Sequence, residues 1–474
     1  MSLRIYNVLN RKKEEFEPIE SGKVRMYACG ITASGEAHVG HAYQAIVFDI
    51  IRKYLEYLGY KVTYVRNYTD VDDKIILKAR ELGVNPTKYA NDIMKSIDQD
   101  LAIIGVDRPS IQSKATECIE DMIEFIQKLI EKGYAYSTKE GNVFFEVSKF
   151  KDYGKLSHQD LDEQLIAVRK ELEPGKQNEK DFALWKNAKD DEIWWDSPWG
   201  KGRPGWHIEC STMSMKYLGE TIDIHGGGRD LVFPHHENEI AQSEALTGKQ
   251  FSNYWIHNGL IKVNGQKMSK SLGNGILLKD LINKYNFEVI RLALENNNYR
   301  SDLNIYDGMF EEKEKQLYSI YRTLSLVENN TSNLIADEKS NEYIDIIRKF
   351  EEDMNDDFNY SLAISRIFEY MNDINRLLSE KKYQEALNKK TAIKTVYKLL
   401  GLFNQKPDIF INAIKNKFLK DNNIDEEYID SLLIKRQELK IAKKYEEADK
   451  IRDLLLEKNI IISDTREGTF WDIK

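Results

Sequence analysis

A strand–helix–strand pattern near the start of the chain constrains its fold more than any other sequence feature. Apolar residues alternate in 24–28, recur at helical spacing in 46–58, and form a second short run in 60–65. Gly59 ends the helical stretch, as expected for a residue that readily adopts left-handed backbone angles. A strand, a helix and a strand over about 40 residues form a βαβ unit, which favours a parallel sheet and an α/β fold. Polar residues at the carboxyl ends of these strands are therefore expected to lie in a ligand site.

A long interruption separates the two halves predicted for this sheet. Residues 116–220 contain a predicted helix at 116–132 and a strand at Phe144-Phe145. Five tryptophans lie in the same region: Trp185, Trp194, Trp195, Trp199 and Trp206. We interpret this region as an insertion. A strand at 221–224 then resumes the sheet and leads into Gly226–Gly228.

The remainder of the chain is predicted to be mainly helical. Pro234 is expected to open a helix that Gly248 ends, in the usual order for these residues. Asn264-Gly265 predicts a hairpin turn. From about residue 280 onward the apolar pattern is helical except at 460–462. All eight histidines precede residue 258, so the chemistry is expected in the first half, with the helical half serving a partner or a scaffold.

Composition excludes several classes of protein. A length of 474 residues predicts about three domains at about 150 residues each. The chain has 41% hydrophobic and 31% charged residues, which is typical of a soluble globular protein. We find no basic and apolar leader segment, and no apolar run of about 18 residues that could span a membrane. A cytoplasmic protein without membrane contact is expected.

Charge and cysteine usage narrow the possibilities further. A net charge of −9 argues against a pervasive positive field, so binding of RNA would depend on local basic patches and on shape. The three cysteines are widely separated and do not suggest a disulfide framework. Cys118 lies at helical spacing with apolar neighbours and is expected to be a packed core thiol. Cys29 and Cys210 need another explanation.

Two short motifs indicate chemistry on ATP. His38 and His41 flank Gly40 at the start of a predicted helix, where free N–H groups and imidazoles suit phosphate and developing negative charge. Residues 267–271 read Lys-Met-Ser-Lys-Ser, and a loop carrying Lys267 and Lys270 can close over a triphosphate. Alone, the first motif could be two surface histidines capping a helix, and the second an ordinary basic turn. Together in one chain they favour adenylate formation.

A metal site is a further hypothesis. His235 and Glu239 are four residues apart and share a face of the predicted helix. With Cys29 and Cys210 they would offer two thiolates, one imidazole and one carboxylate, a donor set that zinc accepts in a tetrahedral arrangement. The four residues are not contiguous, and a structural thiol with a solvated acidic helix would also explain them separately.

Two polar segments complete the candidate site. Residues 67–74 form a charged run just after a predicted strand, and they are either a charged turn or groups that hold the substrate. Gly226–Gly228 could let the backbone approach a nucleotide, with Asp230 accepting from a ribose hydroxyl. A tight turn is the alternative explanation for the three glycines.

Taken together, these residues resemble the cysteinyl-tRNA synthetases, which are class I aminoacyl-tRNA synthetases. The resemblance covers nearly the whole chain. Besides the histidine pair and the Lys-Met-Ser-Lys-Ser loop, it is carried by four longer runs at 66–74, 205–211, 225–228 and 233–239.

The resemblance implies an α/β architecture of several domains. A Rossmann-like catalytic domain with a parallel sheet would comprise 1–115 and 221–285, with a connective insertion at 116–220. A linking stem-contact region at 286–310, an α-helical bundle at 311–400 and a small anticodon-binding domain at 401–474 would follow. Five basic residues would form a local basic surface or simply a solvated helix face: Lys435, Arg436, Lys440, Lys443 and Lys444. Trp471 could stack on a base or simply pack.

The resemblance also implies roles for individual residues. Cys29, Cys210, His235 and Glu239 would bind one zinc ion per chain. His38, His41, Lys267 and Lys270 would be catalytic, and His38, His41, Asp230 and Lys270 would contact ATP. Thr69, Trp206 and His207 would line the cysteine pocket. The implied partners are L-cysteine, ATP with Mg²⁺, and tRNA(Cys), and a monomer is expected.

One departure and two rivals remain. The family usually has Pro-Thr-Val-Tyr after the first Cys-Gly, whereas residues 31–36 here are Ile-Thr-Ala-Ser-Gly-Glu. A related ligase that joins cysteine to an amino sugar in mycothiol synthesis shares the catalytic core, but it should lack the tail that follows the bundle's start near 311. A catalytically silent RNA-binding relative is disfavoured by the intact signature residues.

Overall fold

The computed structural model describes residues 2–158, 175–189, 192–269, 272–464 and 468–474. Two compact units are present, and each is described by itself. The first comprises Met1–Glu314, Glu338–Tyr370 and Thr391–Leu402, and the second comprises Lys315–Asp337, Met371–Lys390 and Phe403–Lys474. None of the helices in the described ranges is long and apolar enough to cross a membrane.

The strands of the described residues form five sheets. In chain order they are β1 (Arg4–Asn7), β2 (Lys12–Glu15), β3 (Lys23–Thr32), β4 (Lys61–Thr69), β5 (Ile111–Lys114), β6 (Ala135–Ser137), β7 (Val143–Phe145), β8 (Phe182–Asn187), β9 (Gly202–Pro204), β10 (Ile222–Gly228), β11 (Ser252–Asn258), β12 (Ile261–Val263), β13 (Gln266–Lys267), β14 (Leu303–Ile305), β15 (Ile460–Asp464) and β16 (Thr469–Ile473).

Helices connect many of these strands along the chain and dominate its later part. In chain order they are α1 (Val39–Tyr57), α2 (Asp73–Leu82), α3 (Pro86–Ile103), α4 (Ile119–Glu131), α5 (Trp206–Leu218), α6 (Glu237–Thr247), α7 (Leu278–Lys284), α8 (Phe287–Leu294), α9 (Met309–Asn330), α10 (Asn341–Asn355), α11 (Tyr360–Ser379), α12 (Tyr383–Tyr397), α13 (Pro407–Asp421), α14 (Glu426–Ile441) and α15 (Tyr445–Glu457).

The central sheet has five parallel strands in the order β11-β10-β3-β4-β5. The first half of the chain winds outward from β3 in one direction, and the second half begins at β10 on the other side of β3. Ala28 on β3 is paired with Gly226 on β10. A crevice opens where the winding direction reverses, at the carboxyl ends of these strands, and such crevices hold the ligands of open α/β sheets. The predicted Rossmann-like fold is confirmed.

The predicted βαβ unit forms because the apolar residues of its helix, α1, are buried. Ile46, Ile50 and Tyr54 of α1 are fully buried, and Gly59 has the left-handed angle φ 92° just after the helix end. Leu58, which follows the last helical residue, is instead exposed by 36%.

The pairing of β3 with β4 is irregular between Ala28 and Ile31. Such bulges re-aim side chains next to functional sites.

The insertion contains an antiparallel sheet in the order β6-β7-β8-β9. Its apolar core includes Trp185, Phe145 and residues of helix α4. Cys118 lies fully buried in the same apolar core, as predicted. The tryptophans do not share one role, because Trp185 is buried whereas Trp194 is exposed by 41%, with Lys201 Nζ 3.6 Å from its ring centroid.

The structure decides several local expectations. Gly226–Gly228 belong to strand β10, so a tight turn, which was the alternative explanation for these glycines, is excluded. A Cβ at Gly226 would lie 2.2 Å from the Phe48 ring, which explains the lack of a side chain there. The helix expected to open at Pro234 has helical backbone angles from that residue onward, because Phe233 before it is extended (φ −139°, ψ 134°) and residues 234–236 lead directly into α6 at Glu237. Strands β14 and β16 interrupt the region predicted as helical. Strand β14 pairs with β12, which lies much earlier in the chain, whereas β16 pairs with the neighbouring strand β15 and extends the exception expected at 460–462 into a hairpin.

The second unit ends in the hairpin β15–β16, which covers a small apolar core. Trp471 is 7% exposed and belongs to this core, so the packing alternative for this residue is confirmed. Lys415 Nζ lies 4.3 Å from the Trp471 ring centroid and donates to the Trp471 carbonyl at 2.7 Å. Arg436 binds Asp464 through two hydrogen bonds of 2.8 and 3.1 Å, which ties β15 to α14.

Candidate active site and metal cluster

A cavity of about 440 Å³ opens at the carboxyl ends of β3 and β10. It is bordered by the loop after β3, the start of α1, the end of β10, and the turn around β12 and β13. The predicted site residues among its lining are His38, His41, Trp206, Asp230 and Lys267. Residues far apart in the chain therefore meet in one crevice, where the sheet topology is expected to place a ligand.

His38 and His41 cap helix α1. His38 has extended backbone angles and its side chain accepts from the His41 N–H at 3.4 Å, while the His41 side chain accepts from the His38 N–H at 3.4 Å. The two rings stack with centroids 3.5 Å apart. A Cβ on Gly40 would lie 3.1 Å from the His38 ring, so the glycine permits this stacking. The same two side chains therefore cap the helix and line the cavity.

The loop that begins with Lys267 borders the same cavity. Asn264-Gly265 forms the predicted hairpin turn, with φ angles of 48° and 79°, and places Lys267 on β13. The Asn274 side chain accepts from the Ser269 N–H at 2.9 Å and donates to the Lys267 carbonyl at 3.2 Å. Met268 Cε would lie 3.4 Å from a Cβ on Gly40, so the two signature motifs approach each other. Lys270 and Ser271 lie outside the described residues.

Four buried side chains form a compact cluster next to this cavity. The ligand atoms of Cys29, Cys210, His235 and Glu239 all lie within 4.8 Å of one another. The two sulfur atoms are 3.6 Å apart, Cys29 Sγ is 3.3 Å from Glu239 Oε1, and His235 Nε2 is 3.0 Å from the same oxygen. Strand β3, helix α5, the turn before α6, and α6 itself each supply one donor. The set predicted from the sequence is therefore brought together.

The electrostatics of the cluster suit a cation. Burial raises the pKa of Glu239, but electrostatic attraction and hydrogen bonds from His225 and His235 outweigh burial and hold that pKa well below its usual range. Burial lowers the pKa of His235, but Glu239 and Cys210 raise it to about 10. A hydrogen bond from the Cys29 thiol lowers the pKa of Cys210 to about 6, whereas burial raises the pKa of Cys29 well above normal. A buried carboxylate and two thiols in contact can share a cation, which removes the cost of burying them unpaired.

Three further histidines support the cluster and were not assigned roles from the sequence. His225 Nε2 lies 2.8 Å from Glu239 Oε2, and His236 Nε2 lies 3.2 Å from Cys29 Sγ. His257 Nε2 lies 2.7 Å from His236 Nδ1. Cys29, His225 and His236 form a second group that could hold a metal. The first group offers four donors, as tetrahedral zinc requires, whereas the second offers three.

The three residues predicted to line an amino-acid pocket differ in position. Trp206 lines the cavity, and its ring centroid is 4.2 Å from that of His235. His207 Nδ1 lies 3.0 Å from His235 Nδ1. Thr69 is 3% exposed and its hydroxyl donates to Glu209 Oε2 at 2.7 Å. Burial raises the pKa of Glu209 well above its usual range. No sequence pattern indicated a role for this residue.

Close backbone approaches explain two other parts of the cavity. Asp230 lines it, and Asp230 Oδ1 would lie 2.5 Å from a Cβ on Gly228. A Cβ on Gly30 would lie 1.6 Å from the Asn67 carbonyl oxygen, so only glycine fits there. The Asn67 side chain accepts from the Gly30 N–H at 2.8 Å. Asn67, which the sequence offered as a strand-end group that holds the substrate or as part of a charged turn, therefore fixes the backbone next to Cys29.

Comparison with known proteins gives consistent matches. The family model described as the catalytic domain of class I (C) tRNA synthetases matches residues 15–315, and the model described as the DALR domain matches 349–404. A cysteine–tRNA ligase of Geobacter metallireducens is 46% identical over 100% of both chains. A cysteine–tRNA ligase of Thermococcus gammatolerans is 47% identical over 99% of both.

Solved structures match at the level of the fold. A methionyl-tRNA synthetase of Mycobacterium tuberculosis, solved with methionyl-adenylate, has a TM-score of 0.58 at 15% identity. The match covers 85% of this chain and 95% of that one. A putative arginyl-tRNA synthetase of Campylobacter jejuni has a TM-score of 0.53 at 14% identity, covering 81% and 95%.

Proposed function

The chain belongs to the cysteine–tRNA ligase family of class I aminoacyl-tRNA synthetases, and on this basis we propose that it activates L-cysteine with ATP and transfers it to tRNA(Cys). The products of one cycle are cysteinyl-tRNA, AMP and pyrophosphate. The observation that carries this proposal is the contact between two sites. Trp206 lines the nucleotide cavity and packs on His235 of the four-donor cluster. An amino acid bound at the cluster thus lies beside the cavity that would hold ATP.

The donor set supports zinc as the metal, with one ion per chain. Cys29, Cys210, His235 and Glu239 supply sulfur, nitrogen and oxygen donors in number and type that fit tetrahedral zinc. A zinc ion there would select the substrate by accepting its thiolate as a further ligand beside the four protein donors, since zinc can take five ligands. It would reject serine, whose hydroxyl is a poor ligand, so that no hydrolytic editing site is needed. Trp206, His207 and Thr69 are proposed to surround the bound cysteine, with Thr69 acting from its buried bond to Glu209.

The chain's own residues would act mainly by positioning and by stabilising charge. His38 and His41 are proposed to contact the phosphates at the start of α1, where free N–H groups add partial positive charge. Lys267, and Lys270 beyond the described part of the loop, would neutralise the departing pyrophosphate. Asp230 would accept from the ribose. Mg²⁺ would accompany ATP, as in other reactions of triphosphates.

The proposed partners assign tasks to the segments of the chain. Residues 1–115 and 221–285 would form the catalytic domain, interrupted by the insertion at 116–220. Residues 286–310 would contact the acceptor stem. The bundle at 311–400 and the domain at 401–474 would position and read the anticodon arm. We propose a cytoplasmic monomer.

One pair of assays on the purified chain tests this proposal. Exchange of labelled pyrophosphate into ATP should depend on cysteine, and charging of tRNA(Cys) should follow with the same preparation. If no exchange occurs when the protein is supplied with metal and with an excess of cysteine, the proposed activity is refuted. Exchange without charging would instead point to the ligase that joins cysteine to an amino sugar.

A further inference from the structure

Asp357 lies in an unusual turn between α10 and α11. Both Asp357 and the next residue, Phe358, have left-handed backbone angles, with φ values of 67° and 50°. Both side chains are fully buried. Non-glycine residues are strained in this region, and they persist where the surrounding structure over-determines their conformation. The contacts of Asp357 therefore need an explanation.

The Asp357 carboxylate accepts three hydrogen bonds from two distant segments. The donors are the Tyr6 N–H at 2.8 Å, the Tyr299 hydroxyl at 2.7 Å and Arg300 Nε at 2.8 Å. The Asp357 N–H donates in turn to the Arg4 carbonyl at 2.8 Å. One buried carboxylate thus holds strand β1 and the segment before β14 against the same turn.

Tyr299 connects this carboxylate to the wall of the nucleotide cavity. Its hydroxyl donates to Asp357, while its carbonyl accepts from the Tyr43 hydroxyl at 3.1 Å and from the Gly259 N–H at 2.7 Å. Tyr43 and Gly259 both line the cavity, and Tyr43 follows the capping histidines on α1. Tyr299 itself is 1% exposed, so water cannot replace these bonds easily.

We propose that Asp357 is a positioning residue for the adenylate-forming reaction, acting through Tyr299 to hold Tyr43 and Gly259 at the wall of the nucleotide cavity. This inference rests on the proposed function, since the cavity is taken to bind ATP. Asp357 is not among the residues that line the cavity, and it contacts none of the four cluster donors. Its removal should therefore weaken the use of ATP and leave the use of cysteine unchanged.

Two variants test the link with little disturbance of the fold. Tyr299→Phe removes the hydroxyl that reaches Asp357 and keeps the ring and the carbonyl. Asp357→Asn removes the charge, and asparagine tolerates the left-handed backbone of this turn. In cysteine-dependent pyrophosphate exchange, both should raise the KM for ATP at least fivefold, and the KM for cysteine should stay within twofold of the parent value.

Asp353→Asn is the matched control. Asp353 is also buried, lies on α10, and accepts from Arg366 Nη2 at 2.9 Å, but it has no hydrogen bond to Tyr299. It should lower thermal stability to a similar degree and leave the KM for ATP within twofold. An unchanged KM for ATP in Tyr299→Phe would overturn the proposal, as would an equal rise in Asp353→Asn.

Calorimetric titration with ATP separates this inference from the proposed function. If the parent protein shows no cysteine-dependent exchange, the proposed activity has failed, and direct binding still compares ATP affinity among the variants. At least fivefold weaker binding by Tyr299→Phe than by Asp353→Asn would support the positioning role. Equal affinity for ATP in the parent protein, Tyr299→Phe and Asp353→Asn would refute it.

Discussion

The sulfur atoms of Cys29 and Cys210 lie 3.6 Å apart, although 181 positions separate the two residues in the chain. Cys29 is held at the irregular end of β3 and Cys210 within α5, and both are at most 3% exposed. Because two buried thiols beside a carboxylate are stabilised by a shared cation, metal binding should depend on each of them.

Replacement of Cys210 tests the metal assignment. Cys210→Ser should lose zinc during gel filtration and raise the KM for cysteine at least tenfold, since a hydroxyl is a much poorer zinc ligand than a thiolate. Metal content by mass spectrometry and pyrophosphate exchange measure the two effects. Cys118→Ala, which alters the buried thiol outside the cluster, should retain zinc. If Cys210→Ser kept both its zinc and its affinity for cysteine, the assignment would be wrong.

Substitution of His38 separates helix capping from catalysis. Asparagine is a good N-cap, so His38→Asn should preserve thermal stability while the rate of pyrophosphate exchange falls about 100-fold through loss of the imidazole. His38→Ala should lose the same activity and in addition about 1 kcal/mol of stability. An exchange rate for His38→Asn close to that of the parent would show that this histidine serves only the cap.

Gly226 tests the close packing under the cavity. A Cβ there would lie 2.2 Å from the Phe48 ring and 2.9 Å from the Ile256 carbonyl oxygen. Gly226→Ala should therefore lower the free energy of unfolding by about 1–3 kcal/mol, the usual effect of overpacking a core. Denaturant unfolding followed by circular dichroism measures this change. Gly35→Ala, where a Cβ would meet nothing within 4 Å, should have little effect on stability, and similar losses in both variants would contradict the packing argument.

Asp464 predicts an acid-dependent step in stability. Hydrogen bonds from Arg436, and then from Lys440, hold the pKa of Asp464 well below its ordinary value of 3.8. The stabilisation is complete above the pKa of the unfolded chain and is lost progressively as the pH falls from there through the lowered pKa of the folded protein. The loss begins because the unfolded chain binds the proton more readily, and it ends when Asp464 itself is protonated and its ion pairs are gone. Since the side chain is 43% exposed, the contribution should be at most about 1 kcal/mol.

The comparison of Asp464→Asn with the parent across pH measures this contribution. The variant should melt at a lower temperature than the parent at pH 6, and the difference should shrink as the pH falls to 3. Asp430→Asn, at an exposed position on α14, the helix that carries Arg436, should match the parent throughout. A constant difference between Asp464→Asn and the parent at all pH values would refute the ionic explanation.

Local patterns predicted many elements correctly. The βαβ unit, the hairpin at Asn264-Gly265 and the burial of Cys118 depend on neighbours within a few residues, so periodicity and turn chemistry suffice to find them. Strand β14 was missed because its three residues acquire strand geometry only by pairing with β12. The sequence did not exclude a turn at Gly226–Gly228, because a run of glycines does not reveal that the Phe48 ring leaves no room for a side chain at Gly226.

The chain alone determined the parallel α/β fold, the two signature motifs and the identities of the four cluster donors, because these follow from local spacing and from whole-chain resemblance. Only the tertiary structure decided how His225, His236 and Asn67 support the cluster, that Thr69 bonds to Glu209, and that Asp357 reaches the cavity through Tyr299. The physical reason is that these contacts join segments far apart in the chain, and no periodic sequence pattern predicts which distant segments will meet. They exist only once the sheet and its covering helices have brought those segments into contact.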